Sequence, residues 1–213
     1  MASPPLKLTN SFAGILIGDA IDSLERWGTD QSQRNSRDLV RTIFAALDGL
    51  TWLFRQHVVS TAIELESISN DERQALSEMS YQVTAHGTVS RQARFIPLPA
   101  MIRIVTRIAS TMHPNLEIRF DGLGWDQFRK ATAIRNRITH PKSEKDMALA
   151  EREVATCIAA FDWLLDAATK AMEAANTALD TYNHELRRLI ADLEADDPQV
   201  WAEYRAVAAE LGR

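Results

Sequence analysis

The run Arg135-Asn136-Arg137-Ile138-Thr139-His140, followed by Pro141-Lys142, places a permanent cation, a carboxamide and a titratable imidazole within about one and a half helical turns. These groups handle phosphate. A guanidinium fork grips phosphate oxygens, and an imidazole, with an unperturbed pKa of about 6.5, moves protons near neutral pH. At about 100° per residue, Asn136 and His140 share a helix face, whereas Arg135 and His140 diverge by roughly 140°. The proline changes this relation. A residue before proline is pushed out of the right-handed helical region, so the helix is expected to end near Thr139, leaving His140 free to swing back toward the other two.

The pattern of arginine, a small polar residue, three residues and histidine resembles the R-x4-6-H signature of HEPN domains, helical proteins many of which are metal-independent RNA endonucleases. From Trp125 and Asp126, through Phe128, Ala131 and Ala133, into Ile134 and on to Pro141, the chain looks like the motif-bearing helix of that family. Elsewhere the likeness is one of helical layout. It implies that His140 is the general base or acid, that Arg135 grips the scissile phosphate and stabilises transition-state charge, and that Asn136 orients the imidazole or binds a phosphate oxygen. Arg129, Arg137 and Lys142 would add phosphate contacts. RNA supplies its own nucleophile, the 2′-hydroxyl, so neither a metal nor a cofactor is implied.

In that family two copies of the motif commonly face each other across a dimer cleft, and such proteins often act as toxins or in defence against phage. The expected partners are therefore RNA, a second copy of the chain and an antitoxin protein. The rival expectation is a non-catalytic HEPN-like module that dimerises or binds nucleotide or RNA.

Charge is distributed in keeping with a phosphodiester substrate. The 213-residue chain has a formal net charge of −5, yet between Arg91 and Lys145 there are 11 basic residues against 4 acidic ones. The motif lies in the one basic segment of an acidic protein, although a solvated face with charges pointing several ways would give the same count.

The elements that must position the motif read as helices. Gly (8) and Pro (7) are scarce, and 46% of residues are hydrophobic, which favours an all-α fold over a turn-rich β fold. Ile15, Ile17, Ala20, Ile21, Leu24 and Trp27 form a first stripe ending at Gly28, and the polar run Thr29 to Arg37 reads as a loop. A second helix is expected from near Ser36, with Leu39, Ile43, Leu47, Leu50, Phe54 and Val58 on one face. Ser69-Asn70-Asp71-Glu72 has the capping-box pattern.

Alternation at Tyr81, Val83 and Ala85, then at Val89, Arg91, Ala93 and Phe95, predicts a β-hairpin with a two-residue turn at His86-Gly87. A helix from Ala100 to Met112 follows. His113-Pro114-Asn115 stops it, and the motif helix starts near Trp125. On that helix Phe128, Ala131, Ile134 and Ile138 form the core stripe with Arg135 at its margin, while Trp125, Arg129, Asn136 and His140 share the adjacent face.

The last long element spaces Val154, Ile158, Phe161, Leu165, Ala168, Met172, Ala175, Leu179, Tyr182, Leu186, Leu189 and Leu193 by alternating steps of four and three. Such a seam is coiled-coil-like, and the helix is too long for a compact domain of this size, so its distal half should project or meet a second subunit.

The expected organisation is an N-terminal arm (1–10), a HEPN-like antiparallel helical bundle (11–195) with a hairpin insertion at about 80–97, and a short C-terminal helix (196–213) carrying Trp201, Tyr204, Ala208 and Leu211. The single cysteine, Cys157, suits a reducing cytosol and reads as a small core residue. No segment has the apolar length to span a bilayer, and Met1-Ala2-Ser3-Pro4-Pro5 lacks the features of a leader, so a cytoplasmic protein without membrane contact is expected. His57, His86, His113 and His184 form no metal-ligand spacing, and no glycine-rich phosphate loop or nucleophile elbow occurs.

Overall fold

The computed structural model describes residues 11–195 and 198–210. The expected N-terminal arm, the helix stop at Asp196-Asp197 and Leu211 lie outside the described residues. The described chain is all-α with one inserted hairpin, in the order α1 (Phe12–Thr29), α2 (Gln33–Glu64), α3 (Asn70–Leu76), β1 (Met79–Val83), β2 (Val89–Ala93), α4 (Leu98–Met112), α5 (Leu123–Thr139), a 3-10 turn (Glu144–Met147), α6 (Glu151–Glu194) and α7 (Pro198–Glu210).

The link between α1 and α2 is shorter than the polar run suggests. Asp30 accepts hydrogen bonds from the Ser32 amide (3.0 Å) and the Asn35 side chain (2.8 Å), and Ser32 Oγ caps the Asn35 amide at 3.4 Å. Capping residues are polar, so they read as loop in sequence although they nucleate helix, and α2 starts at Gln33 rather than near Ser36. Its predicted stripe is buried throughout, from Leu39 to Val58. Truncating any of its larger members would cost about 2–5 kcal/mol. The α1 stripe is only half covered: Ala20 is buried, whereas Ile15, Ile21 and Leu24 stay exposed beside the helix that α1 mainly packs on, α2.

Helices α1 and α2 form one antiparallel pair, with Trp27 Nε1 donating to Ser36 Oγ near the connection. Helices α5 and α6 form another, since Arg137 at the end of α5 reaches Glu153 at the start of α6, and Gly124 at the start of α5 lies on Trp163. A Cβ at Gly124 would overlap that indole, so only glycine lets the two helices close there. Between the pairs, α2 and α6 run in the same direction. Gln33 bonds both the amide and the carbonyl of Leu149 at 2.8 Å, and further along His57 Nε2 meets Asn176 Oδ1 at 2.8 Å.

The hairpin pairs Val83 with Val89 and Met79 with Ala93. Its turn differs from the two-residue expectation. Thr84 and Thr88 are still joined by an amide-to-carbonyl bond of 2.8 Å, leaving Ala85-His86-Gly87 as a three-residue loop with Gly87 at φ +74°. A type I turn followed by a left-handed glycine is the standard way to close three residues.

Helix α6 is one unbroken element of 44 residues, about 66 Å long. Its first half is core: Val154, Phe161, Ala168 and Ala175 on the seam are buried, as is Cys157. Tyr182, level with the end of α2, and Leu186, Leu189 and Ile190 further along are exposed. Trp201 of α7 donates its indole N–H to the Leu193 carbonyl at 3.2 Å, folding the short last helix back onto that end.

Candidate functional site

Helix α5 carries the motif and stops where the proline dictates. His140 is its C-cap, at φ −123° and ψ 58°, with its amide bonded to the Asn136 carbonyl at 3.0 Å. Phe128, Ala131 and Ile138 are buried, so the core stripe faces inward as read from sequence. Trp125 does not share the exposed face with Asn136 and His140. It is buried in a cluster with Phe120, Phe128 and Trp163, because the chain before α5 and the indole of α6 cover the first turn, and Arg103 of α4 lies over its ring at 5.0 Å.

Past His140 the chain is held by a carboxylate that sequence reading passed over. Asp146 Oδ2 accepts from the amides of Lys142 and Ser143, both at 2.8 Å, and from the Ser143 hydroxyl at 3.1 Å. The Lys142 amide is the main cause, with the Ser143 contacts and Arg137 adding to it, that keeps the Asp146 carboxyl below the usual carboxylate range. The Ser143-x-x-Asp146 spacing is a capping box and was legible as one.

The result is an open hollow of about 530 Å³ lined by Asn136, Arg137, His140, Lys142 and Asp146. His140 and Lys142 are exposed, and neither side chain has a hydrogen-bond or ion-pair partner among the described residues. Asn136 is exposed, and its Oδ1 accepts from Arg135 Nη1 at 3.2 Å, which leaves its amide hydrogens as the free donors. Arg137 borders the hollow but is tied elsewhere. Its guanidinium donates to the Asp146 carbonyl (3.3 Å), the Ala148 carbonyl (2.9 Å) and Glu153 (2.8 Å), clamping the loop onto α6. Arg129 is exposed two turns earlier on α5 and is not part of the hollow.

Arg135 leans away from the hollow, toward α2. Its Nη2 lies 4.0 Å from Asp48 Oδ2, a carboxyl that burial pushes up and the Arg135 charge pulls back down. Nothing local in the sequence marks Asp48, since the two residues meet only through the packing of α2 beside α5. The structure thus brings Asn136, His140 and Lys142 to one surface, joins Arg135 to it through Asn136, and holds Arg137 as a brace. Such a surface offers an imidazole, amide donors and an ammonium to an anion. No cluster of three or more potential metal ligands occurs among the described residues, and no described helix is long and apolar enough to cross a membrane.

Compared with protein-family models, curated proteins and solved structures, the chain gives no match to any of the three.

Proposed function

We propose that this chain is a HEPN-like, metal-independent endoribonuclease acting in the cytoplasm, as a toxin or phage-defence effector. The observation that carries the reading is the convergence of His140, Asn136 and Lys142 on one open hollow, with Arg135 a single hydrogen bond away. His140 takes the proton of the RNA 2′-hydroxyl, the 2′-oxygen forms a bond to phosphorus, and the bond from phosphorus to the 5′-oxygen breaks. The products are a 2′,3′-cyclic phosphate and a 5′-hydroxyl. Lys142 and the Asn136 amide face the phosphate, and Arg135 answers the charge that develops on it. A second copy, related by a two-fold axis, supplies another His140 as the acid that protonates the leaving oxygen. An antitoxin protein fits the same reading as a restraint.

The experiment is incubation of the purified protein with labelled RNA and DNA in the presence of EDTA. RNA is cut and DNA is not, the ends carry cyclic phosphate, and His140→Ala and Arg135→Ala each lose at least about a hundredfold in rate. Equal cutting of DNA, or full activity in His140→Ala, overturns the mechanism.

One observation favours the alternative of a non-catalytic dimerising or nucleotide- or RNA-binding module: Arg135 rests against Asp48 rather than in the hollow. Under that reading RNA or nucleotide binds without being cut, and His140→Ala leaves cell growth on overexpression unchanged.

A further inference from the structure

The hairpin has a surface that the motif does not use. From Met79 to Pro97 there is no acidic residue, in a chain of net charge −5, and Arg91 and Arg94 are both present. Neither arginine has a carboxylate partner among the described residues. The pairing of Tyr81 with Arg91 and of Val83 with Val89 puts these side chains on one face of the ribbon, and Arg91 lies over the Tyr81 ring at 5.9 Å. Tyr81 is 53% exposed and Phe95 82%, and the two rings line one open hollow of about 530 Å³ together with Arg94 and Gln74. The floor of that hollow is fixed: Glu78 pairs with Arg55 at 2.8 Å and accepts the Ile96 amide at 2.9 Å.

Exposed rings beside guanidiniums without carboxylate partners, on a base whose one carboxylate, Glu78, is taken up by Arg55 and the Ile96 amide, make a stacking platform for bases with charge for the phosphates. A protein strand could pair with the ribbon edges but would make no use of two free cations. We propose that this hairpin face binds single-stranded RNA, as a second site apart from the His140 hollow. This rests on the reading of the chain as an RNA-handling protein. The two sites are well separated. The hairpin is anchored at Arg55 of α2, whereas the motif loop is anchored at Arg37, whose guanidinium donates to the Met147 carbonyl. Eighteen helical residues between those anchors amount to about 27 Å along α2. A strand lying in the His140 hollow therefore meets the hairpin several nucleotides away.

The test uses the full chain carrying His140→Ala, so that RNA is held and not cut, and reads fluorescence anisotropy of a labelled oligouridylate of about twelve nucleotides. Adding Tyr81→Ala and Phe95→Ala is expected to weaken binding at least tenfold, on the scale of about 1–3 kcal/mol per stacked base. Adding Arg91→Gln and Arg94→Gln is expected to lower the salt slope by about 0.7 for each charge removed. Equal urea midpoints show that the variants fold. Unchanged affinity and unchanged salt slope overturn the platform and leave the face to a protein strand. The catalytic reading is scored separately, in the His140 protein, on a dinucleotide that cannot reach the hairpin. Loss of that cleavage with platform binding intact sinks the chemistry alone, and cleavage with no hairpin effect on the long oligonucleotide sinks the platform alone.

Discussion

Arg135 Nη2 lies 4.0 Å from Asp48 Oδ2, across the junction of α5 and α2, while its Nη1 donates to Asn136. The motif arginine is therefore shared between a carboxylate behind it and the amide that faces the hollow. Burial disfavours the Asp48 charge more than Arg135 favours it, so ionised Asp48 is a small net burden on the fold.

Asp48→Asn should consequently leave the protein as stable as before or slightly more so at pH 7, by no more than about 1 kcal/mol, the scale of a half-exposed pair. The sign follows from the raised carboxyl pKa: the burden is present above the folded value and lifts as pH falls through it. The gap between variant and parent should thus shrink as pH drops below the carboxylate range, measured by urea unfolding at several pH values. A variant destabilised at pH 7 would mean that the pair is a net support.

Arg137 separates two readings of one side chain. As a brace to two carbonyls and Glu153, its loss should cost about 1–3 kcal/mol in unfolding free energy, because a half-buried carboxylate and the loop carbonyls lose their donors. Arg137→Lys should recover little, since one ammonium cannot serve three acceptors in a fixed fork. Unchanged stability with weakened RNA binding would instead make Arg137 a phosphate contact.

Much of this arrangement was readable before folding, and the exceptions share a cause. The α2 stripe, the proline stop at His140 and the Ser69 capping box are set within a few residues, so periodicity and dipeptide chemistry find them. Asp48 beside Arg135, and the covering of Trp125 by Phe120 and Trp163, depend on which helices become neighbours, which no local pattern encodes. The α2 start was missed for a different reason, because Asp30 and Ser32 cap the helix with the same polar side chains that signal a loop. The hairpin was legible as alternation, but its loop length rests on the left-handed conformation of Gly87.

Burial pushes the Cys157 thiol up to about 12, from an ordinary value of 9.0. It should therefore resist thiol reagents in the native protein and react only on unfolding. Between about pH 9 and 12 the unfolded chain releases this proton and the folded chain keeps it, so stability falls as pH rises through that window, by up to about 4 kcal/mol for three units. Cys157→Ala should flatten that part of the profile in urea titrations, and an unaltered slope would show that the thiol contributes nothing to it.

The exposed stripe at the end of α6 predicts self-association. Light scattering should report twice the 23.9 kDa chain mass at micromolar concentration, and Leu186→Glu with Leu189→Glu should return a folded monomer. Both side chains are exposed, so their loss should leave the unfolding midpoint of the monomer unmoved. A dimer that survives both changes would place the contact elsewhere, on the half-covered face of α1 for example.

Unbroken as it is, α6 turns the position of that stripe into a lever. The helix begins at Glu151, next to the loop braced by Arg137, and Leu186 lies 35 residues further on, roughly 50 Å away. Two chains joined antiparallel by their stripes would carry their imidazoles to opposite ends, on the order of 100 Å apart. Only a parallel pair sets both His140 copies at the same end, like the jaws of a peg whose spring is the far end of α6. In such a peg a change of about 10° in the helix crossing angle, well inside the scatter of about 15–20° that helix packing tolerates, changes the separation of the jaws by roughly 9 Å. On the proposed reading, opening and closing of the cleft between the two imidazoles would then be governed from the far end of α6, remote from both of them.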